Sequence, residues 1–380
     1  MEGVTSTGVY DELGVKPVIN ARGHLTVLGG SSPSPRVLAA MEAANRYYVD
    51  MAELLEKSGR VIAELLGAEA AYVTPGAGAA LALGMAACIA GSDREKMARL
   101  PDTTGMRREL LIQKRHRYAY DRCPTIVGAR LVEVGDDGGT SAGQLAAAIG
   151  PAAAAILYPA HLEGREGTVA LAEVLSIAHA RGVPVLVDAA GQVYPVERMK
   201  GYPASGADLV CYGAKYIGAP HSTGILCGRR ELVESAAAQG FIAFETGGHI
   251  AFGRPLKLDR QEIIAVVAAL REWLEMDHGA RLRAYDRKAQ TITRAALGLP
   301  GVTATALPEP PAPATRLRIA VDPARAGRTA SEVARALLDG YPGVAVGVDG
   351  DALSVSVATL LDGDEEVVAA RLREVLARQP

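Results

Sequence analysis

The chain has 380 residues, of which 49% are hydrophobic and 22% are charged, so it has room for one large domain and a smaller one. Its net charge of −3, without long runs of like charge, argues against binding to nucleic acids or to anionic membranes. The four cysteines are not closely spaced, so we expect no metal site, no disulfide framework and a cytoplasmic protein.

The first part of the chain is predicted to combine an N-terminal arm, residues 1–30, with two helices. "PVINARGHLTVLG" reads as an extended segment, and the amphipathic pattern from Ser34 to Ala68 predicts the helices. The stretch Ala70–Gly91 carries no charge and is long enough to be considered as a membrane span. Its glycines, threonine and proline instead predict a buried strand, a turn and a buried helix.

From residue 70 to residue 228, apolar strand patterns alternate with helical patterns. Unbroken apolar strands in such an alternation indicate a parallel sheet covered by helices. We therefore predict an α/β fold with a large domain over residues 31–257. Residues 258–300 have helical periodicity and are predicted to form a connecting helix.

The end of the chain is predicted to form a separate, smaller domain. The proline-rich segment Leu307–Thr315 is interpreted as a connector. Strand and helix patterns over residues 301–380 predict a small α+β domain, alone or together with the N-terminal arm.

Three local motifs carry residues suited to chemistry. Gly76–Gly78 forms a turn between a predicted strand and a helix, where backbone N–H groups either bind a phosphate or only make a tight turn. Asp188 ends an apolar strand, where a carboxylate is either a ligand-binding group or a helix cap. Lys215 follows the next strand among small and apolar residues, and is either buried or a surface lysine.

In this order, the three motifs indicate a pyridoxal-phosphate enzyme. The lysine forms a Schiff base with the cofactor, the aspartate keeps the pyridine nitrogen protonated, and the turn holds the phosphate. The chain resembles fold-type I pyridoxal-phosphate enzymes, in particular the selenocysteine-synthase-like branch of seryl-tRNA selenium transferase and D-glucosaminate-6-phosphate ammonia-lyase. The resemblance rests on "GVKPVINARGHLTVLGG", "VDAAGQ", "GADLVCYGAKYIGAPHSTGILCG" and "GRPLKLDRQEI".

The resemblance implies a fold and a set of cofactor contacts. The implied fold is a mainly parallel seven-stranded sheet between helices, with a smaller C-terminal α+β domain. Lys215 is implied as the Schiff-base lysine and proton shuttle at Cα, and Asp188 as the partner of the pyridine nitrogen. Further cofactor contacts are implied for the backbone of Gly76, Ala77 and Gly78, for Gln192, and, across a dimer interface, for Ser222 and Thr223.

The resemblance also places two histidines in catalytic positions. His116 matches a residue that stacks on the cofactor ring, and is otherwise a surface histidine in a basic loop. His161 matches a group facing the cofactor oxygen or the substrate, and is otherwise a loop histidine. Since forked donors suit a carboxylate or a phosphate, substrate contacts are implied for Asn20, Arg22, His221 and Arg254.

The chain departs from the family pattern close to the reactive lysine. Tyr212 and Gly213 stand where the family often has a serine, and His221 replaces a glutamine. The arginine that many aminotransferases use for the substrate carboxylate has no clear counterpart, although Arg316 or Arg318 could take its place. These departures count against ordinary transamination.

We therefore predict a pyridoxal-phosphate-dependent lyase or transferase that acts at Cα and Cβ of a small amino acid or amino-sugar acid. Elimination is the reaction that we predict first, and oxidative decarboxylation, aldol cleavage, racemisation and transamination are the alternatives. The intact pair of Lys215 and Asp188 argues against a non-catalytic relative. An arm motif that begins by residue 16 and an acidic net charge argue against a tRNA substrate. The resemblance implies a homodimer or larger homo-oligomer with the active site at its interface.

Overall fold

The fold was obtained as a computed structural model, which describes residues 8–248, 250–309 and 312–377. The helices of these residues are α1 (Val9–Glu12), α2 (Pro35–Asn45), α3 (Met51–Leu66), α4 (Ala77–Ala90), α5 (Arg94–Arg99), α6 (Ala142–Ala148), α7 (Leu171–His179), α8 (Val196–Ala204), α9 (Arg230–Ala237), α10 (Phe241–Thr246), α11 (Arg260–Glu275), α12 (His278–Ala296), α13 (Pro323–Ala326), α14 (Ala330–Asp339) and α15 (Asp364–Ala377). The strands are β1 (Val18–Asn20), β2 (Ala70–Thr74), β3 (Glu109–Gln113), β4 (Arg130–Val134), β5 (Ala153–Pro159), β6 (Val185–Asp188), β7 (Leu209–Gly213), β8 (Gly224–Gly228), β9 (Val302–Glu309), β10 (Ala312–Val321), β11 (Gly343–Ala345), β12 (Gly347–Asp349) and β13 (Ala352–Ser356).

The chain divides into two compact units. The larger contains residues 31–275, and the smaller contains the N-terminal arm from residue 8 to residue 30 together with residues 276–377. The helical span predicted over residues 258–300 is two helices in the structure, because α11 ends at Glu275 and α12 begins at His278. The side chain of Asp277 accepts a 2.8 Å hydrogen bond from the N–H of Ala280 and so caps the start of α12. The helical periodicity predicts a single continuous helix at this point.

A seven-stranded sheet forms the centre of the larger unit. Its order is β2-β8-β7-β6-β5-β3-β4. Neighbouring strands are parallel, except that β8 is antiparallel to both β2 and β7. Every residue of β5, β6, β7 and β8 is buried, as expected for unbroken apolar strands in the interior of a domain. The predicted mainly parallel sheet of seven strands is confirmed.

Helix α4 packs against this sheet and is apolar along its length. A Cβ atom at Gly84 would lie 3.0 Å from a methyl group of Leu186 and 3.2 Å from one of Leu209, so the glycine allows α4 to approach β6 and β7 closely. The uncharged stretch Ala70–Gly91 is therefore β2, a turn and α4, as predicted. Within the described parts of the chain, no helix is long and apolar enough to cross a membrane.

The strand directions bring several of the predicted site residues to one edge of the sheet. The carboxyl ends of β2, β5, β6 and β7 lie at this edge, and β8 begins there because it runs in the opposite direction. Gly76 follows β2, His161 follows β5, Asp188 ends β6, Lys215 follows β7, and His221 precedes β8. Ligands of open α/β sheets bind at such an edge.

The smaller unit contains a four-stranded antiparallel sheet in the order β12-β13-β10-β9. The arm contributes β1, which pairs in parallel with β11, from Val18 opposite Gly343 to Asn20 opposite Ala345. Ala21 is completely buried in the core of this unit, which also takes residues from α12, α14, α15, β10 and β13.

The proline-rich segment Leu307–Thr315, predicted as a connector, belongs instead to a pair of strands. β9 continues to Glu309 and β10 begins at Ala312, while residues 310–311 lie outside the described residues. The connector prediction was wrong because a strand segment without a partner on one side tolerates proline. β9 is an edge strand, and β10 pairs with β13 only from Arg316 onwards.

Candidate active site

Lys215 lies in a single helical turn, Ala214–Ile217, directly after β7. The side chain is partly buried, and burial lowers the pKa of Lys215. Its Nζ lies 5.2 Å from the centre of the Tyr216 ring, a contact that favours the ammonium form and so opposes the effect of burial. Burial therefore moves Lys215 towards the neutral amine that nucleophilic attack requires.

The Tyr216 ring occupies space that two glycines leave open. A Cβ atom would lie 3.2 Å from the ring at Gly213 and 3.5 Å from it at Gly191. Gly213 is one of the departures from the family pattern noted in the sequence. The structure gives it a reason, since a side chain there would displace the aromatic ring next to Lys215.

Asp188 is buried, with 5% of its surface exposed. Its Oδ1 accepts a 3.0 Å hydrogen bond from the N–H of Ala190, and its Oδ2 accepts a short hydrogen bond from the hydroxyl of Tyr118. Burial raises the pKa of Asp188, while the two hydrogen bonds and the electrostatic effect of His161 oppose this rise. The carboxylate is thus held in a fixed orientation by two donors.

The turn between β2 and α4 presents backbone donors at a helix N-terminus. Gly76 is the N-cap residue with φ of +86°, and among the described residues no side chain caps this helix. The first intrahelical hydrogen bond runs from the N–H of Ala80 to the carbonyl of Gly76, at 3.1 Å. The N–H groups of Ala77 and Gly78 precede it and have no partner inside the helix, so they suit a phosphate.

His161 lies near Asp188, and His221 lies near Lys215. The His161 ring is edge-on to that of Tyr118, with the ring centres 5.1 Å apart, and burial lowers the pKa of His161 although the charge of Asp188 raises it. Burial also lowers the pKa of His221, as does, to a smaller extent, the charge of Lys215. Both shifts favour the neutral imidazole, which can accept a proton and pass it on.

His116 has no exposed surface. Its ring is edge-on to Tyr158, with the ring centres 5.0 Å apart, and its Nδ1 lies 3.4 Å from Nε2 of Gln113. Burial lowers the pKa of His116 to about 4. Because a covered ring offers a cofactor no free face, this position does not favour the stacking role, which stays a prediction.

Three predicted cofactor contacts have local partners in the larger unit. Gln192 accepts a 3.3 Å hydrogen bond from an arginine of α8. Ser222 donates a 2.5 Å hydrogen bond to Glu262, and Thr223 donates one of 2.7 Å to the carbonyl of Pro220. Contact between these side chains and a cofactor stays a prediction, and for Thr223, which is buried, it requires a change of partner.

The residues predicted to bind substrate belong to both units. In the larger unit, Arg254 pairs with Glu245 at 2.7 Å. In the smaller unit, the Asn20 amide donates to the carbonyl of Gly23 and accepts from the N–H of Arg22, both at 2.9 Å, so Asn20 shapes a turn of the arm. Arg22 is exposed. The binding roles of these residues stay predictions.

Sequence reasoning missed Tyr118, which contacts Asp188 and His161. The residue lies two positions after His116, in a loop whose path the sequence does not define. The aromatic residues of "RHRYAYD" were its only signal.

The larger unit fits pyridoxal phosphate by the chemistry of its side chains. It brings a lysine with a lowered pKa, a buried carboxylate and the donors of a helix N-terminus to one sheet edge. These are the groups that bind the aldehyde, the ring nitrogen and the phosphate of this cofactor.

Comparison with known proteins agrees with this assignment. The model of the aminotransferase class-V family matches residues 123–326. The chain is 34% identical to a 5'-C-glycyluridine monooxygenase-decarboxylase of a Streptomyces species, over 97% of this chain and 92% of that protein. It is 31% identical to the D-glucosaminate-6-phosphate ammonia lyase of Salmonella typhimurium, over 97% of both chains.

Solved structures of pyridoxal-phosphate enzymes have the same fold as this chain. A structure of D-glucosaminate-6-phosphate ammonia-lyase superposes with a TM-score of 0.87 and 28% identity, covering 99% of this chain and 100% of that one. Serine palmitoyltransferase of Sphingomonas wittichii superposes with a TM-score of 0.56 at 18% identity, covering 96% of this chain and 89% of that one, and supports the fold alone.

Proposed function

Because the chain belongs to the aminotransferase class-V family and is a pyridoxal-phosphate-dependent enzyme with the type I fold, we propose that it catalyses an elimination at Cα and Cβ of an amino acid. The observation that carries the proposal is the likeness of the whole chain to an ammonia lyase, in sequence and in fold. The proposed substrate is an amino-sugar acid or another small amino acid.

The residues at the sheet edge have separate binding roles. Bound pyridoxal phosphate supplies a ring that withdraws electrons from the Cα of an attached amino acid. Lys215 supplies the amine that holds the cofactor, Asp188 accepts a hydrogen bond from the ring nitrogen, and the N–H groups of Ala77 and Gly78 bind the phosphate.

Proton transfer at Cα is assigned to Lys215. Its Nζ takes the proton when the Cα–H bond breaks, which requires the neutral amine and therefore benefits from the lowered pKa. The substituent at Cβ then leaves with the bonding electron pair, and a carbon–carbon double bond forms. The leaving hydroxyl or amine needs a proton, which His161 supplies, with His221 as the second candidate.

A panel of amino-sugar acids and small amino acids, incubated anaerobically with the cofactor-loaded enzyme, tests the proposal. Elimination predicts release of ammonia together with a 2-keto acid, and no release by the Lys215→Ala variant. Stoichiometric formation of pyridoxamine phosphate without turnover would favour transamination instead.

Oxidative decarboxylation is the second candidate, since the monooxygenase-decarboxylase matches this chain at 34% identity. It predicts consumption of oxygen and release of carbon dioxide when the same panel is incubated in air. Turnover that requires oxygen would therefore exclude elimination as the main reaction.

We also propose a homodimer or larger homo-oligomer with the active site at its interface, and a cytoplasmic location. The four cysteines are free thiols in the structure, which fits a reducing compartment. The position of Ser222, exposed beside the start of β8, is compatible with a contact to a second copy. Sedimentation equilibrium of the cofactor-loaded protein measures the assembly directly, and a monomer would contradict it.

A further inference from the structure

Tyr118 contacts Asp188 but has no part in the proton transfers described above. It lies in the loop that follows β3 and the helical turn Lys114–His116. Its hydroxyl donates a short hydrogen bond to Oδ2 of Asp188, while Oδ1 is bound by the N–H of Ala190 at 3.0 Å. Each carboxylate oxygen thus has its own donor, and among the described residues Tyr118 alone supplies one from a side chain.

The loop holds Tyr118 in place through a second buried carboxylate. Asp121 is 1% exposed, and its Oδ2 accepts a 3.2 Å hydrogen bond from the N–H of Tyr118. The same oxygen pairs with Nε of Arg117 at 2.5 Å. The ring of Tyr118 also packs edge-on against His161. The hydroxyl is therefore directed at Asp188 by contacts on its backbone and on its ring.

The surroundings of Asp188 make this hydrogen bond important for its charge. Burial raises the pKa of Asp188, and the Tyr118 hydrogen bond is the largest of the effects that lower it, ahead of the Ala190 amide and His161. Apart from Tyr118 and His161, the ionisable groups that Asp188 influences are two thiols and a phenol, which carry no positive charge. The ionisable neighbours are Tyr118, Cys123, His161, Cys211 and Tyr216.

We propose that Tyr118 is a positioning residue that keeps the carboxylate of Asp188 oriented and ionised, ready to bind the ring nitrogen of the cofactor. The inference rests on the proposed role of Asp188 as the partner of that nitrogen. Tyr118 does this through one hydrogen bond, so loss of the hydroxyl leaves a buried carboxylate with one donor fewer.

The test is the affinity for pyridoxal phosphate as a function of pH, measured by equilibrium dialysis on the full-length apoprotein. Binding requires ionised Asp188 and a protonated ring nitrogen, so affinity falls as the pH drops through the pKa of Asp188 in the apoprotein. Tyr118→Phe moves this acid limb to higher pH. The expected loss of affinity is about tenfold on the acid side, the usual size of the contribution of one hydrogen bond to a charged group, and it becomes smaller as the pH rises.

Two control variants separate this role from a packing role. Tyr120→Phe removes the hydroxyl of a neighbouring tyrosine that is 66% exposed, and is expected to bind as the wild type does at every pH. In an Asp188→Asn background, Tyr118→Phe is expected to cause no shift of the acid limb, because the titrating group is gone. Thermal unfolding of each variant checks that it folds.

The outcomes distinguish the inference from the proposed function. An unchanged acid limb in Tyr118→Phe, or an equal loss of affinity at all pH values, would overturn the positioning role while leaving the cofactor assignment in place. Failure of the wild-type protein to bind pyridoxal phosphate would overturn both.

Discussion

At the scale of single residues, burial is the main cause of the pKa shifts of the two side chains proposed to bind the cofactor. Burial lowers the pKa of Lys215 and raises that of Asp188, so each group is moved towards its neutral form. The hydrogen bond from Tyr118 opposes the effect on Asp188, and the Tyr216 ring opposes the effect on Lys215. The sequence allowed prediction of Lys215 and Asp188, because each follows or ends an apolar strand, but not of the tyrosines, because loop paths and side-chain contacts decide their positions.

Replacement of the proposed proton donor is expected to slow elimination while leaving cofactor binding intact. If His161 donates the proton as proposed, His161→Gln is expected to lower kcat about a hundredfold, the usual size of a general-acid contribution. The matched variant His221→Gln is expected to have a smaller effect. Steady-state kinetics check both, and the reverse order of effects would transfer the donor role to His221.

The buried His116 is expected to make the fold sensitive to acid. Its pKa is about 4 in the folded protein against 6.5 for the unperturbed side chain, so between these values the unfolded chain binds more protons. Stability is therefore full above about pH 6.5 and falls as the pH drops towards 4, by up to about 3 kcal/mol.

Urea unfolding at a series of pH values measures this loss. His116→Gln removes the titrating group, so its unfolding free energy is expected to depend less on pH in this window than that of the wild type. Equal pH dependence of the two proteins would show that His116 does not contribute.

At the scale of elements, the turn proposed to bind the phosphate depends on the close approach of two strands and α4. A Cβ atom at Gly224, the first residue of β8, would lie 2.5 Å from the backbone carbon of Gly76 and 2.8 Å from the nitrogen of Ala77. These are backbone atoms of the turn itself, which cannot move without moving the helix N-terminus. The glycine at the start of β8 thus shapes the turn after β2.

Gly224→Ala is therefore expected to weaken cofactor binding and to destabilise the fold by about 1–3 kcal/mol, as for other overpacked sites. Gly201→Ala is the matched control, because a Cβ at this position in α8 meets no atom within 4 Å, and it is expected to stabilise the fold slightly, by about 0.5–1 kcal/mol. Equilibrium dialysis and thermal unfolding check both variants. Normal cofactor affinity in Gly224→Ala would contradict this account of the turn.

Elements were predictable where one pattern dominates a segment. The buried strands β5 to β8 and helix α4 have continuous apolar sequences, and were predicted in type and in order. The break between α11 and α12 was missed, since the same periodicity continues on both sides of the cap at Asp277. The end of β9 and the beginning of β10 were taken for a connector, because proline is a weak signal against strand segments that lack a partner on one side.

At the scale of the whole molecule, the arm belongs to the smaller unit, although the entire larger unit separates it in the sequence from the other residues of that unit. Its backbone is bonded to the C-terminal region at several points, including Ala21 N–H to the Ala345 carbonyl at 3.0 Å and Ser356 N–H to the Ala21 carbonyl at 2.8 Å. The hydroxyl of Thr359 also donates to the carbonyl of Asn20 at 2.8 Å. Composition alone did not decide this grouping, because a short extended arm carries little pattern.

Deletion of residues 1–30 is expected to destabilise the smaller unit. The three hydrogen bonds above and the pairing of β1 with β11 are lost, which at about 1 kcal/mol for each bond amounts to at least about 3 kcal/mol. Thermal unfolding combined with limited proteolysis measures the effect, with cleavage expected within residues 276–377. Val27→Ser, at a side chain that is 81% exposed, is the control, and resistance of the deletion variant to both treatments would contradict the assignment.

The central claim is that Lys215 carries pyridoxal phosphate, and one measurement tests it directly. The purified protein is incubated with the cofactor, reduced with borohydride and digested, and the modified peptide is identified by mass spectrometry. The account predicts that the adduct is on Lys215 and that Lys215→Ala abolishes it. An adduct on a different lysine, or no adduct in the wild-type protein, would contradict it.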